Sequence, residues 1–255
     1  MSDPGAARMT IAEHLDELRK RLLVSVVATV SAAIVCFWQR AWVMAFLRRP
    51  LDDVRATMPQ FEVNIVQNKV FDGFLAAMKI SFFSGLVIAA PIVLMQMWGF
   101  ISAGLYRHER RAVKFYALPG FLLFLAGAAL AYFFVMPYAI DFLLNFAHGE
   151  GFADESQLNI NNYVTLIAFS MFAFGIMFQL PVVMVFLMRI GVVEPDSFAK
   201  YRRHAIVAAF ALAMIMTPPD VVTQIALAAS MAVLYEIAIL LGRVVAEPRK
   251  EPDGS

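Results

Sequence analysis

The amino-acid sequence predicts an all-α membrane protein with six transmembrane helices. Hydrophobic residues make up 61% of the 255 positions and charged residues only 16%, which would leave a water-soluble chain of this size covered in apolar patches. The charges also concentrate between six apolar runs, most of which are near the roughly 20 residues that a helix needs to cross a bilayer. The predicted spans are 22–38, 74–102, 113–136, 163–188, 204–216 and 221–241.

The polar segment 1–21 is predicted to form a cytosolic amphipathic helix that leads into the first span. Thr10 and Glu13 have the spacing of a capping box, and Leu15 and Leu18 continue an apolar face at helical spacing. No small-residue cleavage pattern follows the first apolar run, so we expect this run to be a retained span and not a removed signal peptide.

The segment 39–73 between the first two spans carries charges of both signs together with Pro50 and Pro59. This composition predicts a structured external cap. The fifth apolar run, 204–216, is short for a span, because 13 helical residues cover about 20 Å of a core that is about 30 Å thick, so it must thin the bilayer, lie within protein or stop short of one surface. Two prolines end this run, so the fifth and sixth helices are predicted to form a hairpin in which both are short.

Lysine and arginine cluster before the first span and in two of the joining segments, which the positive-inside rule places in the cytosol. Segments 137–162 and 217–222 contain neither residue. Both termini are therefore predicted to be cytosolic. The predicted domains are the N-terminal segment 1–21, the six-helix transmembrane domain 22–243 and a disordered cytosolic tail 244–255. The basic residues that define the cytosolic segments are Arg19, Lys20, Arg21, Arg107, Arg110, Arg111, Lys114, Arg189, Lys200, Arg202 and Arg203.

Several classes of function are disfavoured by the composition and by the motifs. A net charge of +1 without a basic tract argues against nucleic-acid binding. The single cysteine, Cys36, cannot form an internal disulfide or a cysteine-based metal cage. His108 and Glu109 are not followed by the second histidine of a zinc-protease motif, and we find no other catalytic signature. We therefore expect a protein that is not an enzyme and that binds no cofactor and no metal.

Two acids near the predicted cytosolic surface are candidate binding residues. Glu17 lies four residues before Arg21, and this spacing favours a local ion pair on an exposed helix over a binding role. Glu109 is the only carboxylate in the basic segment 106–111. It can favour the start of the third helix or neutralise a neighbouring arginine, or it can await a guanidinium from outside the protein.

Polar residues within the apolar runs are few, and buried polar groups in lipid need partners. Pro181 leaves a backbone carbonyl of the fourth span without its usual helix bond, and Gln179 offers a hydrogen-bonding side chain beside it. The residues favour a contact between helices of the same chain for Gln179. Asp220 has the position of an N-cap for the sixth helix, and Gln224 lies one turn further along.

Four separated motifs resemble the TatC family, the multispanning core of the twin-arginine protein translocase. They are HLDELRKRLL at 14–23, FISAGLYRHERR at 100–111, FGIMFQLPV at 174–182 and MTPPDVVTQ at 216–224. The motifs occur in the family's order around six spans, and the resemblance covers roughly residues 10–243.

The resemblance implies a receptor in the bacterial inner membrane that recognises signal peptides with paired arginines. Together with the single-span subunits TatA and TatB it would export folded proteins by using the proton-motive force, and it would form a homo-oligomer within the receptor complex. Glu109 matches the family's loop glutamate that receives the twin arginines, and Glu17 matches the acid of the N-terminal motif, among the positions for signal-peptide binding. Further positions that match signal recognition are Arg19, Leu22 and Phe100.

The resemblance also implies a docking region for TatA or TatB beside spans five and six. Many relatives carry glutamate at the position of Gln179, so proton exchange there is not expected, and a polar contact with TatA or TatB is expected instead. Pro50 matches an external-loop proline that shapes the cap. The residues that match the docking region are Met216, Thr217, Pro218, Asp220 and Gln224.

Two other functions remain open from the sequence. A secondary transporter of a small molecule would need ion-coordinating or charged residues near the bilayer midplane, where Gln179 is the main candidate. A structural scaffold would not need an acid such as Glu109 within a basic cytosolic segment. Uptake of a radiolabelled solute without partner proteins would favour the transporter.

Overall fold

The structure, a computed structural model, describes residues 11–57, 63–67, 69–103, 110–149, 156–216 and 221–245. Its elements are helix α1 (Ile11–Trp38), α2 (Arg40–Thr57), strand β1 (Val63–Val66), α3 (Asp72–Ala103), α4 (Arg110–Leu130), a π-helical turn (Ala131–Val135), α5 (Met136–Gly149), strand β2 (Ser156–Asn159), α6 (Ile160–Met177), α7 (Leu180–Arg189), α8 (Pro195–Lys200), α9 (Arg202–Met216) and α10 (Val221–Val245).

The predicted class, a multi-pass helical membrane protein, is confirmed in its main feature. In the described part of the chain, five helical segments are long and apolar enough to cross a membrane. Helix α9 has 15 residues and is shorter than each of these five segments, as the length of its apolar run predicts. The five segments are Ala12–Trp38, Asp72–Ile101, Tyr116–Phe146, Ile160–Arg189 and Val221–Val245.

The prediction of a short sixth helix is wrong. Helix α10 has 25 residues, which correspond to about 37 Å at 1.5 Å per residue. The helix continues past the expected end at 241, and the next two residues both make contacts with other parts of the bundle. Gly242 is buried against the Met188 side chain, and Arg243 pairs with Asp196 at 3.1 Å.

The third span is also longer than predicted, since the helix runs from Arg110 to Gly149 through the π-helical turn. Within the turn, the Met136 N–H bonds the carbonyl of Ala131, five residues back. Pro137 follows directly and has no N–H to donate. The wider turn lets the helix continue past this proline, whereas hydropathy alone ended the span at 136.

The fourth span is broken where the sequence places Pro181. Helix α6 ends at Met177, residues 178–179 form a turn, and Pro181 lies in the first turn of α7. Pro181 is buried there. A proline is tolerated in the first turn of a helix because its missing N–H has no partner there in any case.

The segment between α1 and α3 contains helix α2 and strand β1. Pro50 lies inside α2 and is fully buried, and it cannot bond the carbonyl of Phe46, four residues earlier. The Tyr132 hydroxyl donates to that carbonyl at 2.5 Å. The Tyr163 hydroxyl donates to the neighbouring carbonyl of Leu47 at 2.7 Å. Two tyrosines from other helices thus stabilise the proline-containing turn of α2.

Strand β1 pairs in parallel with β2, in the register Val63 to Ser156 through Val66 to Asn159. Next to this pair the carboxylate of Asp72 accepts hydrogen bonds from the Asn159 side chain at 2.7 Å and from the Lys69 backbone at 2.9 Å. This small sheet joins the chain before α3 to the chain before α6.

Glycines allow close approach between the long helices, as is common in membranes. A Cβ on Gly85 of α3 would lie 2.7 Å from backbone atoms of Ala33 in α1. A Cβ on Gly127 of α4 would lie 2.6 Å from the carbonyl oxygen of Phe174 in α6, and Gly175 of α6 lies against the ring of Phe124. Helices α1 and α3, and α4 and α6, therefore pack with little space between their backbones.

Candidate functional site

A polar cluster forms where the first half of α1 packs against the last turns of α3. The Glu17 Oε1 accepts hydrogen bonds from Arg21, at 2.9 Å from Nε and 2.5 Å from Nη2. Arg21 Nη1 lies 3.4 Å from Oε1 of Gln96 on α3. The ion pair expected from the spacing of Glu17 and Arg21 is therefore confirmed.

The second carboxylate oxygen of Glu17 has a different environment. Oε2 is buried and accepts no hydrogen bond from the residues that the structure describes, although the side chain as a whole is 20% exposed. A buried carboxylate oxygen without a donor is costly, because its desolvation is not compensated. Glu17 thus retains the capacity to accept a further hydrogen bond, for which a charged donor would be the strongest partner.

Aromatic and small residues complete this cluster. The His14 ring stacks on Phe100 with 4.4 Å between centroids and an interplanar angle of 20°. Gly99 allows the Arg21 guanidinium to lie against α3, since a Cβ at that position would overlap Arg21 Nη1. The structure therefore brings Phe100, a predicted recognition residue, to within one helical turn of the groups around Glu17.

The other predicted recognition residues are placed differently. Arg19 and Leu22 are exposed on α1, and neither takes part in the hydrogen bonds or ring contacts of the cluster. Glu109 belongs to the segment 104–109, which lies outside the described residues.

Gln179 points into the helix bundle. Its Nε2 donates to the Gly120 carbonyl of α4 at 2.8 Å, and the residue is 9% exposed. Its Oε1 and the indole Nε1 of Trp98 are both buried, and neither has a hydrogen-bond partner among the residues described. The Gln179 amide therefore joins α4 to the break before α7. This is a contact between helices of the same chain, the kind of contact that the sequence favours for Gln179.

The predicted docking region beside α9 and α10 is described only in part. Thr217, Pro218 and Asp220 lie outside the described residues, Met216 ends α9, and Gln224 is half-buried in the first turn of α10. Near the other end of this helix pair, Arg202 and Glu236 form an ion pair at 2.9 Å. The side chains of α9 that remain exposed are mostly apolar and include Val207, Met214 and Ile215.

Sequence reasoning missed three members of the cluster around Glu17. Gln96 lies outside the quoted motifs, and His14 and Gly99 have no chemistry that singles them out in isolation. His14 stands three residues before Glu17, on the same helical face, and this spacing is a signal that could have identified it. Among the described residues, no group of three or more His, Cys, Asp or Glu could hold a metal ion.

With this geometry established, comparison with known proteins shows the family. The family model described as Sec-independent protein translocase protein (TatC) matches residues 13–229. The chain belongs to the TatC family.

Relatives and solved structures agree with this membership. The TatC protein of Magnetococcus marinus is 37% identical over 245 residues, covering 96% of this chain and 88% of the relative. The TatC protein of Aquifex aeolicus is 36% identical over 243 residues, covering 95% of this chain and 98% of the relative. A crystal structure of the twin-arginine translocase receptor TatC matches with a TM-score of 0.78 and 36% identity, covering 91% of this chain and 99% of that chain.

Membership establishes several properties. As a TatC protein, the chain is a multi-pass membrane component of a Sec-independent protein translocase, and it belongs to a family of transport subunits and not of enzymes. The prediction of the family from four short motifs is therefore confirmed.

Proposed function

We propose that this TatC protein is the receptor subunit of its translocase and binds twin-arginine signal peptides at the cytosolic face. The observation that carries the proposal is the carboxylate of Glu17, whose Oε2 is buried without a donor in the described part of the chain. The stacked rings of His14 and Phe100 in the same cluster offer an apolar and aromatic surface for the rest of a peptide.

The chemistry of the cluster favours arginine over lysine. A guanidinium presents parallel N–H donors that match a carboxylate, whereas a lysine ammonium is a point charge without this geometry. Arg21 already bonds Oε1 through two of its nitrogens, so an incoming guanidinium would pair with both oxygens of Glu17 only by displacing Arg21. We propose that Glu17 receives one arginine of the pair and Glu109 the other.

The distribution of charge supports a cytosolic position for this cluster. The start of α1, the segment around 107–114 and the segment around 189–203 carry most of the lysines and arginines between spans. With an even number of crossings, including α9, both termini lie on the same side. We propose that this side is the cytosol and that the membrane is the bacterial inner membrane.

The test of the receptor function is the affinity of the purified protein for a twin-arginine signal peptide and for its twin-lysine variant at matched salt. We expect arginine-selective binding that Glu109→Gln weakens by tenfold or more, about 1.4 kcal/mol. Equal affinities for the two peptides would show that the isolated subunit is not the receptor.

We propose that TatA and TatB are the partners, that several copies of this chain assemble in the receptor complex, and that the proton-motive force drives export of folded proteins. The exposed apolar face of α9 and the half-buried Gln224 support docking beside α9 and α10. Site-specific crosslinkers at 216 and 224 are expected to capture TatA or TatB.

Gln179 is a proposed second contact, although it is 9% exposed in the isolated chain. Absence of crosslinks from position 179 in the assembled complex would reject that contact.

A secondary transporter is less well supported. Among the buried polar side chains that the structure describes, Asp72 is the charged one, and it lies at the first residue of α3 beside the small sheet. Ion-coupled transporters place such groups near the midplane.

A further inference from the structure

A groove with apolar walls and a polar mouth lies between α4, α7 and α10. It has a cavity of about 320 Å³. Pro119 and Leu123 of α4, Val182 and Val185 of α7, and Leu241 of α10 line its walls. Because these side chains recur every three or four residues, each helix gives one face to the groove, and the groove runs along the helix axes.

In the described part of the lining, the polar side chains are Tyr116 and Arg189, and they lie together at one end. Arg189 is the last residue of α7, and its guanidinium lies close enough to the hydroxyl of Tyr116 to interact with it electrostatically. Tyr116 begins the apolar segment Tyr116–Phe146, and Arg189 ends the apolar segment Ile160–Arg189. The polar mouth of the groove is therefore at the boundary of the hydrocarbon region, and its walls extend into that region.

Arg189 differs from two other arginines at this end of the bundle. Arg202 pairs with Glu236 at 2.9 Å, and Arg243 pairs with Asp196 at 3.1 Å. Among the described residues, no carboxylate lies within ion-pair distance of Arg189, and its side chain is exposed. The groove mouth thus offers a cation and a neighbouring hydroxyl without an anion from the described residues.

We propose that this groove binds an anionic phospholipid of the cytosolic leaflet, with the phosphate on Arg189 and Tyr116 and an acyl chain along the apolar walls. Basic pockets between transmembrane helices on the cytosolic side suit anionic headgroups, and a guanidinium bonds phosphate oxygens through parallel donors. A purely apolar helix of a partner subunit would cover the walls without pairing Arg189, whereas an anionic phospholipid satisfies both, so the charge favours the lipid. The assignment to the cytosolic leaflet rests on the proposed function, which places both termini in the cytosol. The lipid site itself does not depend on that orientation.

The test uses the full chain, purified in neutral detergent and titrated with phosphatidylglycerol or phosphatidylcholine of identical acyl chains. Bound lipid is counted by native mass spectrometry. We expect phosphatidylglycerol to bind at least tenfold more tightly, and we expect Arg189→Gln to remove most of this preference. Arg243→Gln is the matched control, because it removes a paired arginine at the same end of the bundle. An unchanged preference in Arg189→Gln would overturn the proposal.

A second variant tests the groove walls. Val185→Trp fills the groove and is expected to lower the binding of both lipids without changing the thermal unfolding of the protein. Retention of phosphatidylglycerol by a folded Val185→Trp protein would show that the lipid binds elsewhere. Inorganic phosphate at millimolar concentration is expected not to displace the lipid, and displacement would indicate a site for a soluble anion instead.

Two further measurements distinguish the lipid site from a contact with a partner subunit and from the receptor function. Loss of the lipid when TatA or TatB is added would show that the groove is a partner contact and would overturn its assignment as a lipid site. Signal-peptide affinity, measured on the same samples, is expected to be equal in wild type and Arg189→Gln. Failure of the lipid site and failure of the receptor function would therefore be recorded independently.

Discussion

Replacing Glu17 with glutamine is expected to weaken the binding of a twin-arginine signal peptide by tenfold or more. The amide removes the charge that would attract a guanidinium and replaces one acceptor oxygen with a donor group. A tenfold loss corresponds to about 1.4 kcal/mol, which is close to the lower end of the range of about 1.5–3 kcal/mol for one charge-assisted hydrogen bond. The measurement is equilibrium binding of a labelled peptide at a fixed ionic strength of about 0.15 M.

Asp16→Asn is the matched control for Glu17→Gln. It makes the same change in charge one residue earlier on α1, where the side chain is exposed and outside the cluster. We expect Asp16→Asn to bind the peptide like wild type, because an exposed charge is largely screened by salt. Equal losses in the two variants would mean that net charge, and not the geometry around Glu17, determines binding.

The folded state itself should change little in Glu17→Gln. The pair of Glu17 with Arg21 has the i, i+4 spacing, for which about 0.2–0.5 kcal/mol is typical on an exposed helix. Thermal unfolding therefore checks that a loss of affinity comes from the site. A large loss of stability would instead indicate that the cluster is a structural element of the contact between α1 and α3.

Replacing Gly127 with alanine is expected to destabilise the protein by about 1–3 kcal/mol, the usual range for overpacking. The new Cβ would lie 2.6 Å from the Phe174 carbonyl oxygen and 2.8 Å from the Phe178 ring. The carbonyl belongs to the backbone of α6, so it cannot move without displacing the helix. This cost exceeds the gain of up to about 1 kcal/mol that alanine brings to a helix interior.

Gly73→Ala is the control for this change. At Gly73 the nearest atoms to a Cβ are those of the Gln67 side chain, at 2.9 Å, and that side chain is exposed and free to move aside. We expect the midpoint of thermal unfolding to fall in Gly127→Ala by about 2–4 °C for each kcal/mol lost, and to stay near wild type in Gly73→Ala. Similar midpoints in both variants would contradict the tight contact between α4 and α6.

Much of the helical architecture follows from the sequence because a hydrocarbon environment imposes a local rule. Every backbone polar group must be paired inside the membrane, so a long apolar run becomes a helix whatever its neighbours are. Proline also acts locally. Pro181 has no N–H to donate to the preceding turn, and the helix is interrupted directly before it. The spacing of Glu17 and Arg21 likewise predicts their ion pair, since helical geometry fixes the distance between such residues.

Other features depend on parts of the chain that are far apart. The length of α10 depends on contacts of Gly242 and Arg243 with Met188 and Asp196, which hydropathy does not contain. The continuation of α4 into α5 depends on a π-helical turn before Pro137. The carbonyl that Pro50 leaves unpaired receives its hydrogen bond from Tyr132, 86 residues from Phe46 in the chain.

By itself, the sequence determined that this protein crosses a membrane several times, that it is a TatC protein, and which acids could meet a basic peptide. These properties depend on composition and on short motifs, whose chemistry does not require contacts with distant parts of the chain. Only the tertiary structure decided that, among the described residues, one oxygen of Glu17 accepts hydrogen bonds and the other does not, and that Gln179 turns toward α4. The reason is that the neighbours of a side chain, such as Gln96 for Arg21 and Gly120 for Gln179, lie 75 and 59 residues away and become neighbours only when the helices pack.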